Sequence, residues 1–533
     1  MEAEGADLAP GYREIPPRVN IAREVLDRLV EQGLGDRTAF VHEGGKISYS
    51  HLRCRVDRLA RGLLTLGITR GTPVLLRMPN CPEFALSFLA LVKIGALPVL
   101  LNSLLGREEV GYVLEHSDAE AAIALAGAAG PLREQGARLT KGLVVARGAE
   151  GDIVPGEALS TGEFPFEDLL DRADETPVET ADTSADGPAF FVYTSGTTGR
   201  PKGICHAHRW IIALGDANRL RLPPEPDDVV MATGEWSFIS ALGHNVLFPL
   251  RNGVTGAILE GRALPEKVLE AIERYRVTVL YSVPTVYRRI LAMEGAENRY
   301  DLSCLRCCNA TGEPLQEATY FEWKKRFGCD LYEHYGVSEM QMVLGQGPGY
   351  PVRPGSIGKP LPDVEVEVLN EDDEPLRPGE AGHLVIRADD PGFFLRYHKD
   401  PERTAEAVRE GWYHTGDLAR RDEDGYFWVV GRSDECFKSR GIFISPVEIE
   451  GALRQHPSVV EAAVVPLADP EIGNRIRAIV VVRDSAKCSD DLAEQIREDL
   501  RARIAPFKIP HVIEFAESLP KSAVGKILRR ELI

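Results

Sequence analysis

The sequence predicts an α/β protein: a large N-terminal domain of parallel-rich sheets with helices plus a small antiparallel region, and a small mobile α+β C-terminal domain. Three observations carry that prediction. A buried strand, a helix and a second buried strand follow one another early in the chain, and the same rhythm returns further on. From about Gly358 the pattern changes to strands of period two. Strand–helix–strand units build parallel sheets, and alternating strands with one solvated face are antiparallel. The 533 residues allow roughly three or four compact units.

Through about Arg18 the chain holds several Gly and Pro residues with little periodicity, which predicts a loosely tied arm. Pro73 to Met78 reads as a buried strand, Glu83 to Ile94 as a helix and Pro98 to Leu101 as the returning strand. Phe84 to Leu101 is the most apolar stretch, but Lys93, Gly95 and Pro98 interrupt it. A spanning helix needs ~20 apolar residues, so no membrane span is expected. Residues 130–187 are rich in Gly, Glu, Asp and Thr and predict a segment winding over the surface. Further strands are expected at Ala189–Tyr193, Val229–Ala232, Thr255–Leu259 and Val277–Ser282, with a helix at Pro265–Tyr275. Val364–Leu369, His383–Arg387 and Gly425–Val430 read as antiparallel strands. In the tail, helices at Pro446–His456 and Asp490–Ile504 alternate with strands at Val459–Val465, Ile476–Val482 and His511–Phe515.

Hydrophobic content of 44% and charged content of 27% exclude disordered, collagen-like and disulfide-scaffold classes. The net charge of −19 argues against nucleic acid or an anionic membrane as partner, yet permits a local cationic pocket. The acidic N-terminus lacks the features of a secretory signal. Nine cysteines, an odd number at irregular spacing, suit a reducing compartment, so a cytoplasmic setting is expected. Cys304, Cys307 and Cys308 lie close together without a second Cys/His pair at zinc spacing, and read as buried apolar thiols.

The most informative string runs Tyr193-Thr194-Ser195-Gly196-Thr197-Thr198-Gly199-Arg200-Pro201-Lys202-Gly203, directly after a buried strand. Glycines permit close backbone approach, hydroxyls and exposed N–H groups can hold phosphate oxygens, and Lys202 supplies a cation. The spacing is not that of a P-loop. The bland alternative is a Gly/Ser/Thr-rich surface turn. Taken alone, Asp417 is an Asp in a turn between strands, and Lys526, ahead of Arg529 and Arg530, a solvated basic tail.

The string resembles the phosphate loop of the adenylate-forming superfamily, which includes acyl- and aryl-CoA synthetases, nonribosomal peptide adenylation domains and firefly luciferase. Further motifs in the family's order extend the resemblance over nearly the whole chain. His334-Tyr335-Gly336-Val337-Ser338-Glu339 resembles the aromatic-Gly-x-Thr-Glu element, with Ser338 where Thr is usual. The resemblance implies a ring near adenine and Mg²⁺ held by Glu339 and Thr194, in keeping with the preference of a hard cation for oxygen. Gly312-Glu313-Pro314 resembles the stretch passing adenine. Tyr413-His414-Thr415-Gly416-Asp417 matches Y-x-T-G-D, whose Asp takes the ribose hydroxyls. Gly431-Arg432-Ser433-Asp434 is similar to G-R-x-D, which implies nucleotide contact by Arg432 and a hinge at Asp434, dividing the chain into domains 1–433 and 434–533. Pro520 to Lys526 resembles P-K-x-x-x-G-K, implying that Lys526 reaches the carboxylate and α-phosphate. Lys438-Ser439-Arg440-Gly441 resembles the loop that lines the pantetheine tunnel after domain rotation.

What the resemblance implies is a two-step ligase using ATP, Mg²⁺ and coenzyme A. A carboxylate attacks the α-phosphorus to give acyl-adenylate and pyrophosphate, and the CoA thiol then expels AMP. Lys202, Lys526, Glu339 with its metal, and the hydroxyls from Thr194 to Thr198 would offset the accumulating negative charge. The expected acyl pocket comprises Trp236, Phe238, Ser240, Ala241, His244, Asn309, Ala310, Thr311 and Met340. Phe238 to Pro249 resembles aryl-CoA ligases, with Ser240 in place of a larger aromatic, so an aryl or bulky cyclic acid is expected ahead of a long-chain fatty acid. A stand-alone enzyme loading a carrier protein, or acting on a medium-chain acid, is the alternative. The sequence leaves a homodimer open.

Overall fold

The structure is a computed structural model, and it describes residues 14–147, 162–171, 176–195, 200–439, 442–483, 488–521 and 527–533. The chain forms two compact units. One comprises residues up to Glu365 together with Arg387–Trp412; the other comprises Val366–Ile386 and Tyr413–Ile533. This division of one conformation differs from the expected border at residue 434, which concerns which segment rotates.

The first unit is built on two large sheets. In one, the strands run in the order Arg396–Tyr397, Pro201–Ala207, Pro188–Ser195, Leu97–Leu100, Pro73–Arg77, Ala121–Leu125, Gly142–Ala146 and Glu163–Pro165. From Pro188–Ser195 onward the neighbours are parallel. The expected strand–helix–strand unit is present as Pro73–Arg77, Pro82–Lys93 and Leu97–Leu100. Pro82 opens the helix at a position where its missing N–H has no partner to lose. All residues of the helix except Glu83 are buried, as expected beneath a covered sheet. Among the described residues no helix is long and apolar enough to cross a membrane.

The other sheet has nine strands, and its parallel centre runs Leu331–Tyr335, Cys307–Ala310, Val279–Ser282, Val229–Ala232, Thr255–Ala257 and Thr38–His42. One face packs into a cluster that includes Leu269, Ile272, Leu280, Tyr287, Cys308, Trp323 and Leu331. The Cys308 and Cys329 thiols lie 3.8 Å apart there. Burial pushes Cys308 well above the ordinary thiol range, which fits the reading of inert, buried thiols.

Residues 130–187 do not simply wind over the surface. Gly142–Ala146 is a wholly buried strand and Phe166–Asp171 a helix. A five-residue apolar run inside a Gly-, Thr- and Glu-rich neighbourhood has no periodicity to mark it, and parallel-sheet burial on both faces erases the alternation. Residues 1–13 of the expected N-terminal arm lie outside the described residues, while Arg18 makes a bridge to Ser184.

The second unit contains antiparallel strands Val366–Leu369, Ala381–Arg387, Trp412–Arg421 and Phe427–Arg432, whose outer ends meet the border. Beyond them Val459–Asp469, Gly473–Val482 and Val512–Phe515 form a three-stranded sheet. Helices Pro446–Leu453 and Asp490–Arg501 accompany it, capped by the Ser445 and Ser489 hydroxyls. Their apolar faces share one core that includes Ile449, Leu453, Val464, Ile476, Ile496 and Leu500.

Candidate functional site

Four parallel strands of the nine-stranded sheet end in the same direction at Ala232, Ser282, Ala310 and Tyr335. Ligands of open α/β sheets bind outside such carboxyl ends. Trp236 and Phe238, Thr311 to Pro314, and Gly336 to Glu339 follow these ends directly.

The cation comes from the other sheet. Pro188–Ser195 pairs antiparallel with Pro201–Ala207, and Thr194 stands opposite Lys202. Directly opposed residues present their side chains on one face. Gly203 is glycine for a steric reason: a Cβ there would stand 2.8 Å from the Tyr193 ring. The Ser195 side chain and Gly196, Thr197, Thr198 and Gly199 lie outside the described residues.

Lys202 Nζ donates to Glu339 Oε1 at 2.6 Å, and the Tyr397 hydroxyl donates to the same oxygen at 2.6 Å. Lys202 Nζ also lies 4.7 Å from the Tyr397 ring centroid, a cation–π distance. Glu339 is only 3% exposed. Burial alone would raise its carboxyl, but the Lys202 charge and the two hydrogen bonds outweigh it and hold the group below its ordinary value. Glu339 is therefore ionised at neutral pH.

The loop that carries Glu339 is tightly wound. A Cβ on Gly336 would stand 1.6 Å from the Gln341 carbonyl oxygen, and Gln341 itself has φ +58°. His206 Nε2 lies 3.1 Å from the Ser338 carbonyl. Burial pushes His206 down to about 3, so its neutral ring donates that bond. Glu313, beside Gly312 at φ +85° and Pro314, accepts from Thr285 Oγ1 at 2.6 Å and Arg288 Nη2 at 3.1 Å. Leu315 N donates to Glu333 Oε1 at 2.9 Å. Burial pushes the Glu333 carboxyl up to about 8, so it is a neutral acid at pH 7.

Two of these residues escaped sequence reasoning. Tyr397 lies 58 positions from Glu339, and strand pairing of Arg396–Tyr397 with Ile204 and Cys205, with the Phe394 N–H donating to the Glu339 carbonyl at 2.8 Å, brings it near. Glu333 had a signal: it sits with His334 in the buried strand of a parallel sheet, where a charged residue is out of place.

The expected acyl residues are spread from core to surface. Trp236 is wholly buried against Phe40 and Phe84, with Nε1 donating to Asn245 Oδ1 at 3.0 Å. Its backbone N–H donates to Asn80 Oδ1 at 2.8 Å, which pins the loop. Phe238 is 45% exposed. Ser240 and Thr311 are half-buried, and Ala241, Asn309, Ala310 and Met340 are buried. His244 stacks on Tyr281 at 4.0 Å, and His334 meets His244 edge-on at 5.0 Å.

In the second unit, Asp417 and Arg432 face each other across paired strands. Arg432 Nη1 lies 3.3 Å from Asp417 Oδ1 and donates to the Thr415 carbonyl at 3.0 Å. Gly416 has φ +76°, a left-handed backbone that favours glycine. Asp434 is exposed, 3.4 Å from Arg432 Nε. Arg529 bridges Glu435 at 2.7 Å and Glu450 at 2.8 Å. Ser439 is buried and Lys438 pairs through its backbone with Phe443. The Lys438 side chain, Arg440, Gly441 and Lys526 lie outside the described residues.

Comparison with known proteins bears on this constellation. Residues 27–398 match the family model for AMP-binding enzymes, and residues 448–526 match that for their C-terminal domain. An uncharacterized acyl–CoA ligase, YtcI, of Bacillus subtilis is 36% identical over 97% of this chain and 96% of its own length. A benzoate–CoA ligase of Thauera aromatica is 33% identical over 99% and 98%. Among solved structures, the anthranilate CoA ligase AuaEII in complex with anthranoyl-AMP superposes with TM-score 0.87 at 29% identity, covering 98% of each chain. With the glycine-bounded hairpin, the tightly wound Glu339 loop and both family models on one polypeptide, the chain belongs to the AMP-binding enzyme family.

Proposed function

We propose that this protein is an ATP-dependent acid–thiol ligase that forms an acyl-adenylate and transfers the acyl group to CoA, with an aryl acid as substrate. The observation that carries the reading is the buried, ionised Glu339 held by Tyr397 and by Lys202, the strand partner of Thr194. The ligase names of the relatives, acting on benzoate and anthranilate, support the choice of an aryl acid. No observation favours a carrier protein as acceptor or a medium-chain acid. A reducing cytoplasm is the setting that nine free thiols suit.

Anion must meet anion when a carboxylate approaches the α-phosphate. Lys202 and Lys526 offset that charge, and the donors around Thr194 to Thr198 orient the phosphates. No general base is needed, because a carboxylic acid is already ionised at neutral pH. Glu339 and Thr194 offer hard oxygen donors, and an ionised carboxylate whose two side-chain donors share one oxygen fits a Mg²⁺ ion. When bound, the ion neutralises part of the polyphosphate charge. Asp417 accepts from the ribose hydroxyls, with Arg432 beside it fixing its rotamer. The C-terminal domain, 434–533, turns about Asp434, replacing Lys526 by the Lys438–Gly441 loop for the thiol step.

Lys526→Ala tests this assignment. Pyrophosphate release from acid and ATP is expected to fall at least ~100-fold, while thioester formation from supplied acyl-adenylate falls far less. Equal losses in both half-reactions would contradict it.

A further inference from the structure

A buried polar cluster lies under the carboxyl ends of the same strands, and the mechanism above uses none of it. Arg221, 6% exposed, donates from Nη1 to the Gln346 carbonyl at 2.6 Å. Its Nη2 donates to Asn309 Oδ1 at 3.0 Å and to the Tyr281 hydroxyl at 3.3 Å. No carboxylate pairs with it among the described residues, and its Nε–H has no acceptor. Tyr281 carries the stacked His244 ring, and His334 abuts both rings. Among the described residues, both ring nitrogens of His244 and of His334 lack partners, as do both side-chain polar atoms of Gln341. Gln341 lies against Gly243, where a Cβ would stand 2.5 Å from Nε2.

These groups are almost wholly buried: His244 is 1% exposed, His334 2% and Gln341 3%. Burial holds both imidazoles well below their ordinary value, with Arg221 adding to the effect. Each neutral ring therefore brings one N–H and one lone pair, the Gln341 amide two N–H groups and one carbonyl oxygen, and Arg221 a further N–H with its charge. A buried cation without a counter-ion and so many unmatched donors are costly in a protein interior. An oxygen anion would supply the counter-charge that Arg221 lacks and accept from the unmatched N–H groups, the ring lone pairs and the Gln341 oxygen turning away from it.

The cluster shares its elements with the expected acyl pocket. His244 follows Ser240 by one helical turn, Asn309 precedes Ala310, and Gln341 follows Met340. We infer that Arg221, His244, His334 and Gln341 form the floor of the acyl pocket and receive a second carboxylate, so that the acid activated by this enzyme is a dicarboxylic acid of aryl size. This rests on the ligase reading and names its substrate class. One carboxylate meets the α-phosphate while the other pairs with the floor.

The test sets benzoate and 3-hydroxybenzoate against the three benzenedicarboxylates, on the full-length protein. It reads pyrophosphate release with ATP and, separately, calorimetric binding of the free acids. At least one dicarboxylate is expected to exceed both monoacids in kcat/KM by about tenfold or more. His334→Phe and Gln341→Leu are expected to reduce that ratio about tenfold, because they remove donors while roughly keeping volume. Arg221→Met should abolish the ratio. Should it not fold, the other two variants decide.

A monoacid equal to or better than every dicarboxylate overturns the inference, as does a ratio that survives both donor deletions. Either result would mean that buried water satisfies the floor. Calorimetric preference for a dicarboxylate without pyrophosphate release from any acid would instead sink the ligase reading and leave the floor standing.

Discussion

Glu339 concentrates the chemistry of the first unit on one carboxylate. Two donors share Oε1 at 2.6 Å each, and hydrogen bonds to charged groups contribute roughly 1.5–3 kcal/mol. Tyr397→Phe removes one of them without changing the ring that faces Lys202. The expected result is a drop of about tenfold in kcat/KM for ATP in the adenylation half-reaction, with the far-UV spectrum and melting temperature nearly unchanged. Glu339→Gln should cost more, at least ~100-fold, because it removes the charge that Lys202 balances and the oxygen proposed for the metal. Both are read by pyrophosphate release at saturating acid. Lys202 and Glu339, which the string and the short motif single out separately, meet in the structure. Tyr397 was not legible in the sequence, because its role arises from strand pairing across nearly two hundred residues of chain.

At the scale of elements, the turn from Gly336 to Gln341 is the least forgiving. A methyl at Gly336 would overlap backbone and not a flexible side chain, so the turn cannot relax around it. Gly336→Ala should lower unfolding free energy by more than about 3 kcal/mol, read as a shifted urea midpoint, or abolish soluble expression. Asp434→Pro is the corresponding test of the hinge. Proline fixes φ near −65°, so one half-reaction should slow while the other persists; unchanged overall turnover would rule Asp434 out as the hinge. Strands were legible wherever a short apolar run stood between turn residues, as at Val229–Ala232, and helix Pro265–Tyr275 matches its sequence reading end to end. Gly142–Ala146 shows the limit, since a five-residue run in polar surroundings carries too little signal. The polar floor was invisible for another reason. His244 and Asn309 were named as pocket residues, but Arg221, which donates to Asn309 Oδ1, closes the helix Trp210–Arg221, and no motif marks it.

Across the whole molecule, buried titratable groups set the pH range of stability. Burial pushes His206 down to about 3 and His208 to about 4, and holds His244 and His334 well below the usual value. In the unfolded chain each titrates near 6.5. Their contribution is fully present above that pH and is lost as pH falls, by about 1.4 kcal/mol per unit for each histidine. Glu333 acts in the opposite sense. With its carboxyl raised to about 8, it contributes below its unfolded value near 4.5 and loses that contribution as pH rises toward 8. Four histidines outweigh one acid, so melting temperature should peak near pH ~6.5, fall steeply toward pH 5 and decline gently toward pH 8. A flat profile between pH 5 and 6.5 would mean that the histidines are solvated. His334→Phe should flatten the acid limb by about one proton's worth.

The path of the chain between the two units limits how this protein can be cut or recombined. After leaving at Val366 it returns as Arg387–Trp412, and there Arg396–Tyr397 zips onto the free side of Pro201–Ala207. A fragment stopping at Glu365 would bare that strand edge, inviting aggregation, and would strip a donor from Glu339. The first unit is thus not a cassette that one scissor cut can release. Grafting it onto another tail requires carrying the returning stretch along, whatever the fate of the residues beyond it.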